Sequence, residues 1–381
     1  MWKTASVLIT IVLMLVLLGI VILTSTSEVL GQNLHNDPYF YLKRQVLALI
    51  LGVVGAVVVA RIPYPWWKKL APVVGIVSLV LLAAAATPGI GIEVKGSRRW
   101  LPLGPLPLTF QPSELAKFSL IALLAMWMST KQRRNHLLGH GVVIPLGITG
   151  AFAVGILAGP DYGTTMLVGV IALSVLYLGG ARFSHLLVAG IAAFSAIAVL
   201  IARNPNRMRR FIAFLNPEEY AANEAYQLNH SLYAFIIGGA KGVGLGDSLQ
   251  KRLYLPEAHT DFIFAILGEE LGLAASLGVL LLFGGFFACG VLIAYRANDT
   301  FGRLLAFGIS ATISLQAALN VAVVTGVLPT KGIALPFISY GGTNLAVTLV
   351  MVGVLVNIAL ETQHSGDGSP VMAVRDRVRR V

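Results

Sequence analysis

The sequence has few charged residues and a single cysteine. Of its 381 residues, 12% are Asp, Glu, Lys or Arg, whereas soluble domains carry roughly 25%. Because 56% of the residues are hydrophobic, a soluble protein of this composition would expose large apolar patches to water. The lone Cys289 excludes an intramolecular disulfide and any zinc site built from cysteines. An integral membrane protein, with a mean hydropathy of +0.80, fits these absences.

The charges that are present are mostly basic. The formal net charge is +11, which suits an anionic membrane surface or an anionic substrate. No sequence signature of RNA or DNA binding accompanies it, so we expect no nucleic-acid partner. Membrane lipids and an anionic substrate are the expected partners instead.

Long apolar runs predict the fold, since a spanning helix needs about 20 mostly apolar residues. We predict an all-α integral membrane protein of about ten transmembrane helices. Residues 1–361 form one polytopic domain, and residues 362–381 form a basic, disordered tail. The first run, from Ala5 to Leu23, has no convincing small-residue cleavage site and is predicted as a retained helix. The ten candidate spans are 5–23, 45–60, 70–88, 114–129, 142–158, 163–180, 185–202, 265–294, 304–326 and 343–361.

Three stretches between these runs are predicted to be non-helical, namely 89–113, 203–264 and 327–342. With ten spans, all three lie on the face opposite the termini, and 203–264 is a large loop between helices 7 and 8. The 28 Lys and Arg residues divide evenly between the two faces, so the positive-inside rule does not give the orientation. Because the excess cations lie in these three loops, an anionic ligand is the simplest reason for them.

Glu114 and Lys117 lie three residues apart at the start of a predicted span, and therefore on one helix face. Charges inside a membrane segment are costly and usually face a partner or a polar interior. Two interpretations stay open. The pair is either a structural salt bridge that closes the helix end or a charged pair that lines a substrate cavity.

A turn followed by a helix is predicted at residues 159–164, where Asp161 fits the N-cap position. For this residue taken alone, the capping interpretation is favoured over a chemical one.

The stretch 255–262 places Asp261 at the start of an apolar run, at the membrane boundary. One interpretation is an N-cap carboxylate. The other is a general base, because desolvation at the edge of a low-dielectric cavity raises the pKa of a carboxylate. Glycosyl transfer needs such a base to take the proton of the attacking sugar hydroxyl. The charged neighbours favour the base, and they are Lys251, Arg252, Glu257, His259, Glu269 and Glu270.

Several cations fall on the same face as Asp261. Arginine suits bidentate phosphate contacts, so these cations could hold a diphosphate leaving group as its charge develops. Contact with anionic lipid head groups is the alternative for each of them. The cations are Arg98, Arg99, Arg207, Arg209, Arg210, Lys241 and Lys331.

Motifs along the chain resemble the SEDS family (shape, elongation, division and sporulation), the FtsW/RodA group of bacterial cell-wall polymerases. The resemblance extends up to about residue 361. Its most specific segments are Leu255-Pro256-Glu257-Ala258-His259-Thr260-Asp261-Phe262-Ile263-Phe264, Gly268-Glu269-Glu270-Leu271-Gly272 and Leu335-Pro336-Phe337-Ile338-Ser339-Tyr340-Gly341-Gly342. The other matching segments are Gly96-Ser97-Arg98-Arg99-Trp100, Gln111-Pro112-Ser113-Glu114 with Lys117, Pro160-Asp161, Gly163-Thr164 and Tyr226-Gln227.

The resemblance implies a ten-helix fold with both termini in the cytoplasm, so that the loop 203–264 is extracytoplasmic. It implies a peptidoglycan glycosyltransferase that uses lipid II, an undecaprenyl-diphosphate-linked disaccharide-pentapeptide. Asp261 matches the essential aspartate of the family, which activates the acceptor 4-hydroxyl in an inverting transfer. A divalent cation, Mg²⁺ or Mn²⁺, is commonly involved, although the sequence shows no ligand set for it. The substrate-binding candidates are Arg99, Trp100, Glu114, Lys117, Asp161, Arg210, Glu257, His259, Lys331 and Ser339.

Within the family, the wording of residues 328–332 resembles the division branch. That branch implies work at the septum of a bacterial inner membrane, with a class B penicillin-binding protein and membrane proteins of the division complex as partners. Two other functions stay open, a lipid II flippase and a non-catalytic scaffold for a penicillin-binding protein. Charged residues gathered at one face, without a convincing internal repeat, favour an enzyme over a transporter.

Overall fold

The computed structural model describes residues 2–94, 96–104, 108–221 and 223–367. Helices dominate this part of the chain. They are α1 (Trp2–His35), α2 (Phe40–Ala60), α3 (Pro65–Ala86), α4 (Pro112–Thr130), α5 (Ile144–Ala158), α6 (Tyr162–Leu178), α7 (Phe183–Ala202), α8 (Pro205–Leu215), α9 (Tyr226–Gly238), α10 (Ile263–Arg296), α11 (Thr300–Val324) and α12 (Gly342–Asp367). A π-helical turn, Gly139–Val143, leads directly into α5.

Eight helices of the described residues are long and apolar enough to cross a membrane. They are α1, α2, α3, α5 with its π-helical turn, α7, α10, α11 and α12. This confirms the prediction of an all-α membrane fold. The two remaining predicted spans are helical as well, but α6 is short and α4 carries Glu114 and Lys117 in its first two turns. A total of ten crossings therefore stays a prediction.

Proline and aspartate residues mark the starts of several helices. Pro65, Pro112 and Pro205 occupy the first turn of α3, α4 and α8, where the missing N–H of proline costs nothing. Asp299 caps α11 by accepting a hydrogen bond from the Gly302 amide at 3.0 Å. These residues fix where the connecting loops begin, and the loops form the site.

Close helix contacts hold the bundle together, with α2 against α12 and α1 and α11 against α10. The α2–α12 contact depends on small residues, because a Cβ added to Gly353 would lie 2.4 Å from the Ala56 carbonyl oxygen. Small residues at such crossings let the two backbones approach, as membrane helices require. In contrast, α7 lies at the edge of the bundle, where Leu186 is its one buried residue.

A break divides α10 at Gly272, whose φ of 76° lies in the left-handed region. A side chain there would collide with the backbone of the loop before α10, since an added Cβ would lie 2.5 Å from the Gly242 nitrogen. Only glycine meets both conditions. The single predicted span 265–294 is thus a short helical segment at the site end followed by a longer spanning one.

Two of the three stretches predicted as non-helical are more ordered than expected. Residues 203–264 contain α8 and α9. Residues 89–113 contain a three-stranded antiparallel sheet with the order β1 (Ile92–Val94), β2 (Ser97–Pro102) and β3 (Thr109–Phe110). The prediction failed there because these strands and helices are short and lie in Gly/Pro-rich or charged stretches, where the long apolar runs that predict spans are absent. Helix α12 continues to Asp367, and the rest of the predicted tail, 368–381, lies outside the described residues.

Candidate functional site

A cavity of about 550 Å³ lies where the predicted loop stretches meet the ends of the helices. Its lining comes from the β-sheet segment, from the starts of α4 and α6, from residues 257–262 and from residues 330–344. The candidates that line it are Arg99, Trp100, Glu114, Lys117, Asp161, Arg210, Glu257, Asp261 and Lys331. Side chains more than 200 positions apart in sequence therefore face one space.

A second cavity of about 420 Å³ adjoins the first and is lined by the end of α7, by α8 and by the start of α6. The two cavities share Arg99, Asp161, Arg210 and Lys331 on their walls. Arg207 lines only the second. Because the two cavities share lining residues, one ligand could occupy both of them.

Asp261 is held in place through its backbone. The Asn320 side-chain amide donates to the Asp261 carbonyl oxygen at 2.7 Å and to the Ile333 carbonyl oxygen at 2.6 Å. Helix α10 begins at Ile263 with Phe262 at the N-cap position, so Asp261 precedes the N-cap residue of this helix. The Asp261 carboxylate lies against Gly332, where an added Cβ would be 3.0 Å from Oδ2.

Glu257 and His259 belong to the same turn but face different surroundings. Glu257 lines the first cavity and accepts a hydrogen bond from the Thr260 hydroxyl at 3.0 Å. His259 is outside the lining, because its ring packs against Tyr41 and Tyr340 with centroids 4.8 Å and 5.8 Å apart. The backbone places the two side chains on opposite sides of the turn.

Ser339 is also outside the lining. Its hydroxyl donates to the Thr260 carbonyl oxygen at 2.6 Å and accepts from the Leu335 amide at 2.8 Å. Both bonds are buried or nearly so, and they tie the loop 335–342 to the turn that carries Asp261. Ser339 thus supports the position of Asp261 from behind.

Glu114 and Lys117 form an ion pair, as one of the two interpretations predicts, and they also line the first cavity. Their carboxylate Oε2 and amine Nζ lie 2.7 Å apart, with side chains only 7% and 3% exposed, and both residues line the first cavity. Gln316 accepts a hydrogen bond from Lys117 at 2.6 Å, and Asn344 donates one to Glu114 at 2.8 Å. Each member of the buried pair therefore has a second polar partner, which offsets part of the cost of burying the charges.

Asp161 caps α6, as predicted. It accepts hydrogen bonds from the Thr164 amide at 3.0 Å and from the Thr164 hydroxyl at 2.9 Å. Arg99 lies 3.6 Å from the same carboxylate and donates to the carbonyl oxygens of Gly159 and Pro160. These contacts bind the β-sheet segment to the start of α6 and leave Arg99 on both cavity walls.

Positive charge exceeds negative charge around the second cavity. Arg207 donates to the Pro160 carbonyl oxygen at 3.0 Å and stacks on the Tyr162 ring at 3.6 Å. Burial lowers the pKa of the Lys331 amine, and the nearby Arg207 lowers it further. The Lys331 amine contacts the sulfur of Met166 at 3.0 Å. Cations that are crowded and partly desolvated in this way form a site prepared for an anion.

Three cations of the predicted group do not line either cavity, namely Arg98, Arg209 and Lys241. Arg98 forms an exposed ion pair with Glu93 at 2.8 Å. Four further residues of the site were not predicted from the sequence. Three of them line the first cavity, namely Arg44, Gln316 and Asn344. The fourth, Asn320, donates a hydrogen bond to the Asp261 carbonyl oxygen. The polar residues inside the apolar runs 304–326 and 343–361 were a signal that would have found the last three.

Glu269 and Glu270, grouped with Asp261 in the sequence, form a separate buried cluster. Glu270 pairs with Lys251 at 3.0 Å and accepts a hydrogen bond from Ser25 of α1 at 2.5 Å. Glu269 accepts hydrogen bonds from Ser248 and from the Leu249 amide. These carboxylates hold the loop before α10 against the bundle, away from the two cavities.

The described residues contain no group of three or more His, Cys, Asp and Glu side chains that could hold a metal ion. Glu257 and Asp261 are the carboxylates of the 257–262 turn on the cavity wall. Mg²⁺ often binds through one or two carboxylates together with substrate phosphates. The donor set therefore fits a cation that arrives with a diphosphate, and it does not fit a metal held by the protein alone.

The family model of the FtsW/RodA/SpoVE cell cycle proteins matches residues 5–364. The chain belongs to this family. The "Probable peptidoglycan glycosyltransferase FtsW" of Nitrosococcus halophilus is 43% identical over 349 residues, which cover 91% of this chain and 89% of the relative. The stage V sporulation protein E of Bacillus subtilis is 38% identical over 358 residues, 94% of this chain and 97% of that one.

A solved structure shares the fold. It is described as "Structural coordination of polymerization and crosslinking by a peptidoglycan synthase complex", and it superposes with a TM-score of 0.77 at 28% identity, covering 93% of this chain and 97% of the other. The family expected from the sequence motifs is thus confirmed.

Proposed function

We propose that this chain is a peptidoglycan glycosyltransferase that polymerises glycan strands from lipid II. The observation that carries the proposal is a single cavity whose lining contains Asp261 together with Arg99, Arg210 and Lys331. A base and a cation cluster that share one cavity are what transfer from a diphosphate-linked sugar requires. The names of the relatives agree with this activity.

Asp261 is proposed as the general base. The acceptor 4-hydroxyl attacks the anomeric carbon of the growing chain, and its proton passes to the Asp261 carboxylate. As the new C–O bond forms, the bond from the anomeric carbon to the diphosphate breaks, and its electron pair leaves on the diphosphate oxygen. Attack opposite the leaving group gives inversion. Asn320 and Ser339 act as positioning residues because they fix the backbone of the turn that carries the base.

The cations of the shared wall are proposed to hold the undecaprenyl diphosphate. Guanidinium groups of Arg99, Arg207 and Arg210 suit bidentate contacts to phosphate oxygens. Lys331 adds a point charge between them. The lipid tail then leaves through the side of the bundle, where α7 is almost wholly exposed. Trp100, Glu114, Lys117, Asp161 and Glu257 complete the proposed substrate-binding set, while His259 and Ser339 contribute from outside the lining.

Mg²⁺ or Mn²⁺ bound to the diphosphate would neutralise part of the leaving-group charge. Glu257 is the carboxylate on the wall that could bind it without displacing the base. The proton transfer assigned to Asp261 does not depend on this ion.

We propose that the protein works at the division septum of a bacterial inner membrane, with both termini in the cytoplasm and residues 203–264 outside. Residues 328–332 support the division branch, and so does the 43% identical FtsW relative. A class B penicillin-binding protein is the proposed partner because the similar solved complex combines polymerisation with crosslinking. Membrane proteins of the division complex are expected to join it.

Reconstitution into liposomes that contain fluorescent lipid II separates this proposal from its alternatives. Product strands are measured on gels, and movement of lipid II between leaflets is measured by dithionite quenching. Strands without accelerated lipid movement support the polymerase. Movement without strands would indicate a flippase. If neither occurs, even with the penicillin-binding protein present, the scaffold is the better account.

A further inference from the structure

Helix α8 begins at the membrane boundary. The apolar spanning helix α7 ends at Ala202, and α8 starts at Pro205 after only Arg203 and Asn204. Two linking residues reach about 7 Å at most when fully extended. The start of α8 therefore lies within about 7 Å of the level at which α7 emerges from the bilayer.

The two sides of α8 differ in character. Phe211, Ile212 and Leu215 share one side of the helix, and they are 44%, 37% and 60% exposed. Arg210 lies on roughly the opposite side and lines both cavities, whereas Arg209 borders Ile212 at the edge of the apolar side, and both arginines are exposed. The sequence of α8 contains no Asp or Glu, so its polar side is purely basic.

The flank of α8 that faces the protein is fixed. Arg207 reaches inward to the Pro160 carbonyl oxygen and the Tyr162 ring, and Ala213 is buried. These contacts set the rotation of the helix about its axis. Within the described part of the chain, they leave Ile212 and Leu215 uncovered, whereas the partly exposed Phe211 also lines the second cavity.

We infer that α8 is an interfacial helix that binds an anionic phospholipid surface. Phe211, Ile212 and Leu215 insert at the boundary of the acyl chains, and Arg203 and Arg209 contact the head groups. An amphipathic helix with apolar aromatic and aliphatic residues on one side and arginines on the other binds bilayers in this way. The inference rests on the membrane character of the chain and not on the proposed glycosyl transfer.

This placement has a consequence for the second cavity. Arg207 and Arg210 line that cavity from α8, so a helix lying in the head-group layer holds them at the depth of lipid phosphates. A lipid-linked diphosphate that diffuses in the same leaflet would meet them without leaving the interface.

The single native cysteine allows a direct test by site-directed spin labelling. In the full chain carrying Cys289→Ala, a nitroxide is placed by Leu215→Cys or Arg209→Cys and the protein is reconstituted in nanodiscs with one-third phosphatidylglycerol. Ile191→Cys, on the 59% exposed side of α7, is the lipid reference. Leu253→Cys, 58% exposed in the loop before α10, is the aqueous reference. Collisions with oxygen and with a water-soluble nickel chelate give the depth of each label.

The inference expects the Leu215 label to prefer oxygen as the Ile191 label does, and the Arg209 label to prefer nickel. A Leu215 label that is as accessible to nickel as the Leu253 label would overturn it. Protection of the Leu215 label only after a partner protein is added would also overturn it, in favour of a protein-docking surface. Thermal unfolding of each labelled protein confirms that the fold is intact.

The preference of α8 for anionic phospholipid is tested with the same Leu215 label. Each arginine near a surface of this kind contributes about 1 kcal/mol, or about fivefold in the equilibrium. Arg203→Gln with Arg209→Gln, or replacement of phosphatidylglycerol by phosphatidylcholine, should therefore raise nickel accessibility. The exposed Lys241, outside α8, gives the control Lys241→Gln, which should change nothing. Equal accessibility in both lipids and all variants would contradict anionic recognition.

Discussion

Glu114 Oε2 lies 2.7 Å from Lys117 Nζ on the wall of the cavity, although both side chains are almost completely buried. The pair adds no net charge to the cavity, and Gln316 and Asn344 hold it in one geometry. The pair therefore adds a donor and an acceptor to the cavity lining and leaves the positive charge of Arg99, Arg210 and Lys331 unchanged.

Removing one partner of this pair should be far worse than removing both. Lys117→Met leaves the Glu114 carboxylate buried without its cation, and we expect a loss of about 3–5 kcal/mol in stability. Lys117→Met combined with Glu114→Gln should recover most of that loss, because no buried charge is left. Thermal unfolding in detergent checks both. Equal destabilisation by the single and the double variant would show that the pair is not a coupled unit.

The lowered pKa of Lys331 predicts a pH dependence of substrate binding. Burial, and then Arg207, disfavour the charged amine, so Lys331 loses its proton at a pH below the ordinary 10.5. Binding of an anionic substrate should be complete at low pH and weaken as the pH rises through this lowered pKa. A bound diphosphate favours the charged form and raises the pKa again, so kcat/KM should fall at a lower pH than kcat.

The variants of Lys331 check this assignment. Lys331→Arg keeps the charge and should move the alkaline limb of kcat/KM to higher pH. Lys331→Met should remove the limb and raise KM at every pH, by roughly tenfold if one charged hydrogen bond of about 1.5 kcal/mol is lost. A limb that persists unchanged in Lys331→Met would assign the titration to another group.

A substitution at Gly332 tests how precisely the Asp261 carboxylate must be positioned for catalysis. A Cβ at this position would lie 3.0 Å from Asp261 Oδ2, so Gly332→Ala should push the carboxylate by a few tenths of an ångström. Since misplacement of about 1 Å costs roughly 100-fold in rate, we expect a several-fold fall in kcat with little change in KM. Gly278→Ala is the matched control, because nothing lies within 4 Å of the added atom. If both variants retain full kcat, the carboxylate is not held against Gly332.

Asn320 is expected to affect catalysis by positioning the backbone of Asp261. Asn320→Leu removes its two hydrogen bonds to backbone carbonyl oxygens and leaves these oxygens buried, at about 1–3 kcal/mol each. Lower stability and a lower kcat are expected together. Asn320→Gln, if it reaches the same oxygens, should restore part of both. A variant that is destabilised with unaltered kcat would limit Asn320 to a structural role.

The apolar runs were sufficient to predict the all-α membrane fold, because a helix that faces lipid must be apolar over its whole length. The sheet at residues 92–110 and the helices α8 and α9 could not be predicted in this way. Their strands and turns are short, and their order depends on contacts such as those of Arg99 with residues 159–160. In segments this short, the intrinsic helix and strand propensities of the residues are weak, so tertiary contacts determine which structure forms.

The same limit applies to the site. Asp261, Glu114 and Lys117 could be found because charges at a membrane boundary are costly and need a reason. The sequence also grouped Glu269 and Glu270 with Asp261, yet they point into a separate cluster with Lys251. Asp261 precedes α10 and lines the cavity, whereas Glu269 and Glu270 lie within α10 and contact the loop before it. Asn320 has the same kind of signal, because an amide inside the apolar run 304–326 is costly unless it has a partner.

The most direct test of the central claim compares Asp261→Asn with the wild type in the presence of the penicillin-binding protein. Asparagine keeps the size of the side chain but cannot accept the proton, so the variant should bind lipid II as well as the wild type does. It should nevertheless form no glycan strands, with expression and complex formation unchanged. Strand synthesis by Asp261→Asn at the wild-type rate would contradict the assignment of Asp261 as the base.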